Sequence, residues 1–115
     1  MKKIIFTLTL PLFLLAADGK KIFTENGCYG CHGLNAQGGS GFPKLAGKSK
    51  EYLISKLKGY KSGKIHSNRA NMMYSFAKKL SNKEIEEVAK YLSKLKNIKN
   101  KDSYYDEEYD QIEPN

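Results

Sequence analysis

The spacing of apolar residues changes repeatedly along this chain, and each change marks a segment. Residues 4–15 are almost uniformly apolar and carry no charge. At 18–27 the pattern becomes amphipathic: Ile22 and Phe23 form one side, and Lys20, Lys21 and Glu25 the other. That pattern predicts a first helix. Periodicity then disappears over 33–48, where Gly33, Gly38, Gly39, Gly41 and Gly47 surround Pro43. A loop this long in a compact domain usually serves function. Ser49 next supplies an N-cap, and Tyr52, Leu53, Lys56, Leu57 and Tyr60 recur at intervals of three and four. A second helix is expected from there through Lys58, ended by Gly59. Residues 61–71 are polar and read as loop, and 72–80 form a short helical candidate. Ser81-Asn82-Lys83-Glu84 is a capping box, and the helix it opens places Ile85, Val88, Ala89, Leu92 and Leu95 on one face. No stretch alternates apolar and polar residues as a strand does. The expected fold class is all-α, with three to four helices.

Chemistry concentrates at Cys28-Tyr29-Gly30-Cys31-His32, which holds both cysteines of the chain. A C-x-x-C-H run reads as the attachment site of a c-type haem. Two thiols three residues apart on one helical turn face the same way and add to the haem vinyl groups. The next residue turns its imidazole under the porphyrin centre, so His32 ligates the iron from the proximal side. Three other chemistries compete. A thioredoxin-like redox pair sits in a βαβ setting, which this helical pattern lacks. Structural zinc needs four ligands, and adjacent Cys31 and His32 are awkward partners on one tetrahedral ion, even with Cys28 and His66 added. A disulfide across two residues closes too small a loop to stabilise much. Haem attachment is the strongest reading.

The ends of the chain add a compartment and a charge pattern. Met1-Lys2-Lys3, the apolar run and Ala16-Ala17-Asp18 have the layout of a secretory signal peptide. The run falls short of the roughly 20 residues a membrane-spanning helix needs. Residues 1–17 are therefore expected to be a signal peptide, cleaved after Ala16 or Ala17. Residues 18–100 form one domain, and 101–115 a disordered tail rich in acids and in tyrosine (Tyr104, Tyr105, Tyr109). Thioether attachment of haem is completed after export, so the periplasm is the expected location. So small a domain needs an added staple, and a covalently held haem would supply the missing apolar core. The formal net charge of +8 hides an asymmetry. Residues 18–101 carry 18 Lys and Arg against 6 acids, whereas 102–115 carry 6 acids and no base. A basic body often signals nucleic acid or anionic membrane. In an exported haem protein it points instead to an acidic redox partner, with neither nucleic-acid binding nor stable membrane insertion expected.

With these residues placed, the chain resembles class I monohaem cytochromes c, particularly the small bacterial periplasmic branch. The resemblance runs from Asp18 to Leu95. It includes Gly19-Lys20-Lys21-Ile22-Phe23, Cys28 to Gly33, Gly41-Phe42-Pro43-Lys44-Leu45-Ala46-Gly47, the Tyr52-Leu53 helix with Leu57 and Tyr60, the Met72-Met73 pair, and Leu80-Ser81. It implies the cytochrome c fold, with helices wrapped around one haem c attached through Cys28 and Cys31. The first and last helices are expected to cross, with Phe23 meeting Tyr91 or Leu92. The family also implies a methionine as sixth ligand, a soft donor that raises the reduction potential. Met73 is favoured over Met72 because it is in phase with Ala77 and Leu80. The Pro43 carbonyl is expected to accept a hydrogen bond from the His32 Nδ1–H, with Leu45 packing on the ring and Arg69 pairing with a haem propionate. His66 reads as surface; Tyr60 either bonds a propionate or caps the core.

The resemblance implies a soluble, monomeric electron-transfer protein of the periplasm rather than an enzyme. It would shuttle single electrons through a His/Met-ligated haem between respiratory complexes. The partner classes are quinol–cytochrome c reductase, terminal oxidase and cytochrome c peroxidase. Lys44, Lys48, Lys61 and Lys64 are expected around the exposed haem edge, favouring brief, salt-sensitive encounters. The alternatives are a haem domain that binds a small ligand and a redox subunit of a larger enzyme complex.

Overall fold

Helices occupy nearly every segment where apolar residues recur at three and four. The computed structural model describes residues 4–5 and 18–95. The expected tail lies outside the described residues, as does the expected signal peptide apart from Ile4 and Ile5. The elements are α1 (Gly19–Glu25), α2 (Tyr29–His32), α3 (Lys50–Lys61), α4 (Ala70–Ala77) and α5 (Asn82–Ser93). The single turn α2, which carries Cys31 and His32, is the addition to the three or four helices the pattern predicted. An isolated antiparallel bridge between Gly39 and Phe42 is the nearest approach to a strand among the described residues.

The helix starts follow capping chemistry. Asp18 accepts from the Lys20 amide at 3.0 Å, and Ser49 from the Tyr52 amide at 3.1 Å. Ser81 and Glu84 form the reciprocal capping box, with both bonds present. Several boundaries differ from the sequence reading: α1 ends at Glu25 rather than Gly27, and α4 ends at Ala77, three residues before Leu80. The second long helix does not stop at Gly59, which is buried inside it; it runs on to Lys61. Gly63, at φ +74°, is the residue that ends it. The Lys64 amide donates to the Gly59 carbonyl at 3.0 Å and the Gly63 amide to the Tyr60 carbonyl at 3.1 Å, which together form a Schellman motif. The fourth helix starts two residues early, at Ala70, where the Ser67 hydroxyl accepts from the Ala70 amide at 3.0 Å.

α5 is the central element, packing against both α1 and α3, while α4 packs on α3. The α1–α5 crossing is close because Gly19 has no side chain. A Cβ there would stand 2.2 Å from the Glu87 carbonyl oxygen and 2.6 Å from the Tyr91 Cβ. One turn on, the Phe23 and Tyr91 rings meet at 6.0 Å between centroids, tilted by 54°. Phe23 and Ile85 are the largest fully buried side chains, and Ile22, Leu53, Val88 and Leu92 complete the core between the helices. The loop after α2 is held down by backbone bonds. The Ala36 carbonyl accepts from the Leu45 and Ala46 amides, and the Gly47 amide donates to the Leu92 carbonyl at 3.0 Å. These bonds fix the loop, and Pro43 with it, against the end of α5.

Candidate functional site

A cavity of about 220 Å³ opens between α2, the glycine-rich loop, α3 and α4. Phe23, Leu53, Leu57, Leu80, Val88 and Leu92 give it an apolar lining. Cys28, at the start of α2, and Cys31 within it also line the cavity, and no disulfide joins them. Burial raises the Cys28 thiol above its ordinary pKa; a backbone hydrogen bond at Cys28 opposes that shift and neighbouring Cys31 adds to it.

His32 is buried and lines the same cavity. Its Nδ1–H donates to the Pro43 carbonyl oxygen at 2.9 Å. A carbonyl can only accept, so this bond fixes the tautomer and leaves the Nε2 lone pair available as a metal donor. Burial pushes the His32 pKa below its ordinary value, with the Pro43 carbonyl opposing. The ring is thus held in the neutral form a metal requires. Phe42 meets it edge-on, 6.3 Å between centroids at 70°. Sequence reasoning quoted Phe42 in a motif but gave it no role.

Both methionines of α4 line the cavity. Met72 is half exposed, while Met73 is less so and stands one helical turn before the buried Ala77. Leu45 and Tyr60 are half-buried in the lining. Arg69 lines it too, and its Nη1 donates to the Gly41 carbonyl at 2.6 Å, fixing the guanidinium at the mouth. His66 is exposed in the loop before α4. The lysines require a correction. Lys44 is buried, not part of an exposed rim, and lines the cavity with half-buried Lys48. Lys61 donates to the Leu80 carbonyl, a bond that ties α3 to the end of α4. Of the four lysines expected around an exposed edge, only Lys64 is exposed. Sequence reasoning gave no site role to Lys56, which is buried in the cavity wall.

Two thiols, a neutral imidazole and a thioether around one apolar cavity fit a covalently attached haem. Comparison with known proteins agrees. The family model described as Cytochrome c matches residues 16–96. Cytochrome c-554(548) of Halomonas halodenitrificans is 38% identical over 79 residues, covering 68% of this chain and 92% of that protein. The thiosulfate dehydrogenase electron acceptor of Stutzerimonas stutzeri is 37% identical over 98 residues, covering 76% of this chain and 44% of its own length. The crystal structure of reduced recombinant cytochrome c4 from Pseudomonas stutzeri matches with a TM-score of 0.62 at 34% identity, over 70% of this chain and 48% of that one. The chain thus spans less than half the length of several proteins it matches.

Proposed function

Because this chain belongs to the cytochrome c family, as a class I bacterial member that carries one covalently attached haem c and transfers electrons through it, we propose that it works as a periplasmic single-electron shuttle with His32 and Met73 as axial ligands. The observation that carries this reading is the pairing of His32, held neutral and oriented by Pro43, with the α4 methionines in one apolar cavity. A haem held there would supply an iron that cycles between ferric and ferrous states. The lining residues would hold that haem together with both axial donors, which would leave no iron position for a substrate. Met73 is favoured over Met72 by its lower exposure and by standing one helical turn before the buried Ala77. Export rests on the expected signal peptide, and no helix of the described residues is long and apolar enough to cross a membrane.

The relative named as an electron acceptor supports the same role for this chain, as a carrier between other redox proteins. The partner classes remain a quinol–cytochrome c reductase, a terminal oxidase and a cytochrome c peroxidase. Carbon monoxide tests the ligation. A ferrous holoprotein whose visible spectrum does not change on adding the gas has both axial positions filled by the protein. A rapid spectral change marks an open iron, overturns the shuttle reading and favours a ligand-binding haem domain. Gel filtration of native extract tests the remaining alternative, since co-elution with a large complex marks a redox subunit.

A further inference from the structure

α4 carries both candidate sixth ligands, yet burial holds it weakly. Its buried side chains are two alanines, Ala70 and Ala77, while its large apolar residues Met72, Tyr74 and Phe76 are exposed. α5, by contrast, buries Ile85, Val88, Ala89 and Leu92. Apolar stabilisation follows the area removed from water, so two alanines contribute far less than that set. α4 also packs mainly on one neighbour, α3. Elements with few buried apolar contacts open locally at well below the cost of global unfolding. For a helix that holds an iron ligand, such opening is loss of the ligand.

Two bonds fasten the ends of α4 to other parts of the fold. Arg69, at its N-cap, donates from Nη1 to the Gly41 carbonyl at 2.6 Å. Gly41 is two residues from Pro43, whose carbonyl orients His32. At the other end Lys61, the last residue of α3, donates from Nζ to the carbonyl of Leu80. Leu80 lies three residues beyond α4 and directly before Ser81, the cap of α5. Both donors are charged and both acceptors are backbone carbonyls, a combination stronger than a neutral pair. We infer that Lys61 is a strap on α4, paired with Arg69 at the opposite end, and sets how readily the helix's methionine leaves the iron. This rests on the reading that α4 supplies the sixth ligand. Freeing α4 at either end breaks the strap there, so the strength of each bond adds to the cost of opening the iron. Arg69 lines the cavity, whereas Lys61 is not among its lining residues. Lys61 is thus a positioning residue that acts through α4, and it separates the strap from any direct contact with a bound group.

The test is imidazole capture by purified ferric holoprotein, followed by stopped-flow absorbance. At saturating imidazole the rate levels off at the rate of methionine release, since a filled iron must open before another donor binds. Lys61→Met keeps the apolar stem and removes the donor. It should raise the limiting rate roughly tenfold, the effect expected of one hydrogen bond from a charged group. Native-state hydrogen exchange of this variant should show a similar loss of protection in the α4 amides, with α1 and α5 unchanged. Lys61→Arg, which keeps a charged donor, should stay close to wild type. Gly19→Ala controls for a general loss of stability: it weakens the α1–α5 crossing and should leave the limiting rate unchanged. An unaltered limiting rate in Lys61→Met, or an equal rise in Gly19→Ala, overturns the strap and leaves the axial ligands as read. A wild-type rate that climbs with imidazole without levelling shows an iron with no methionine on it, and overturns the ligand reading and the strap together. Should Lys61→Met yield no holoprotein, Lys61→Gln, which keeps a shorter neutral donor, decides on the same two readings.

Discussion

Met72 and Met73 are adjacent, and one helical step of about 100° separates the proposed ligand from its neighbour. Met73→Ala is expected to abolish the weak charge-transfer band of ferric His–Met iron and to lower the potential, because a water or nitrogen donor then stabilises ferric iron. Met72→Ala should retain the band, and near-infrared spectra of both ferric variants check this. The opposite result would make Met72 the ligand. Cys28→Ala or Cys31→Ala should sharply cut the yield of holoprotein that survives acid–acetone extraction. At this scale the sequence was informative wherever chemistry is local. The C-x-x-C-H run names three groups because their spacing is their geometry. The places of Phe42 against His32 and of Lys56 in the cavity wall were not legible in the same way, since they depend on which segments fold against them. Lys56 lies in the apolar repeat of α3, where a lysine can equally well extend its stem and leave its charge in water. The packing of neighbouring elements on α3 encloses it.

Each helix was legible from its own periodicity, while its ends depended on which glycine the fold uses. Gly59 looks like a stop signal, yet it is buried inside α3, and Gly63 supplies the positive φ that ends the helix. A sequence offers two glycines four residues apart and no means of ranking them until the neighbouring elements are placed. Gly19 shows the same dependence more strongly. It sits in the first turn of α1, where alanine has the better helix propensity by about 1 kcal/mol. Against that, a Cβ at 2.2 Å from the Glu87 carbonyl would force α1 away from α5. Overpacking at well-packed contacts costs about 1–3 kcal/mol, and here the obstacle is backbone, which cannot rotate aside. Gly19→Ala is therefore expected to lower stability despite its better propensity, measured by chemical denaturation of the holoprotein. Ser81→Ala should cost about 1 kcal/mol by removing the hydroxyl that caps α5. A Gly19→Ala protein as stable as wild type would show that the crossing is looser than the structure has it.

Charge is the property that belongs to the molecule as a whole. Exposed lysines are spread over the described surface: Lys20 and Lys21 on α1, Lys58 on α3, Lys78 and Lys79 after α4, and Lys83 and Lys90 on α5. The salt bridge between Lys21 and Glu25, at 3.8 Å with both side chains mostly exposed, does little to offset this field. A body so basic should meet an acidic redox partner through long-range attraction, which raises the encounter rate more than the affinity. The chain carries its own competitor in sequence, because residues 102–115 hold 6 acids and no base against 18 Lys and Arg in 18–101. Those acids reduce the net attraction wherever they lie, and a tail drawn to the lysines would also occupy the docking face. Exposed charge pairs contribute about 0–1 kcal/mol each and are screened over about 10 Å at 0.1 M salt. Deleting residues 101–115 should thus raise the second-order electron-transfer rate to an acidic partner modestly at low ionic strength. The gain should fade as salt increases, with spectrum and reduction potential nearly unchanged. Stopped-flow rates for full-length and truncated holoprotein across a salt titration measure this. Superimposable curves at every ionic strength would show that the tail takes no part in the encounter.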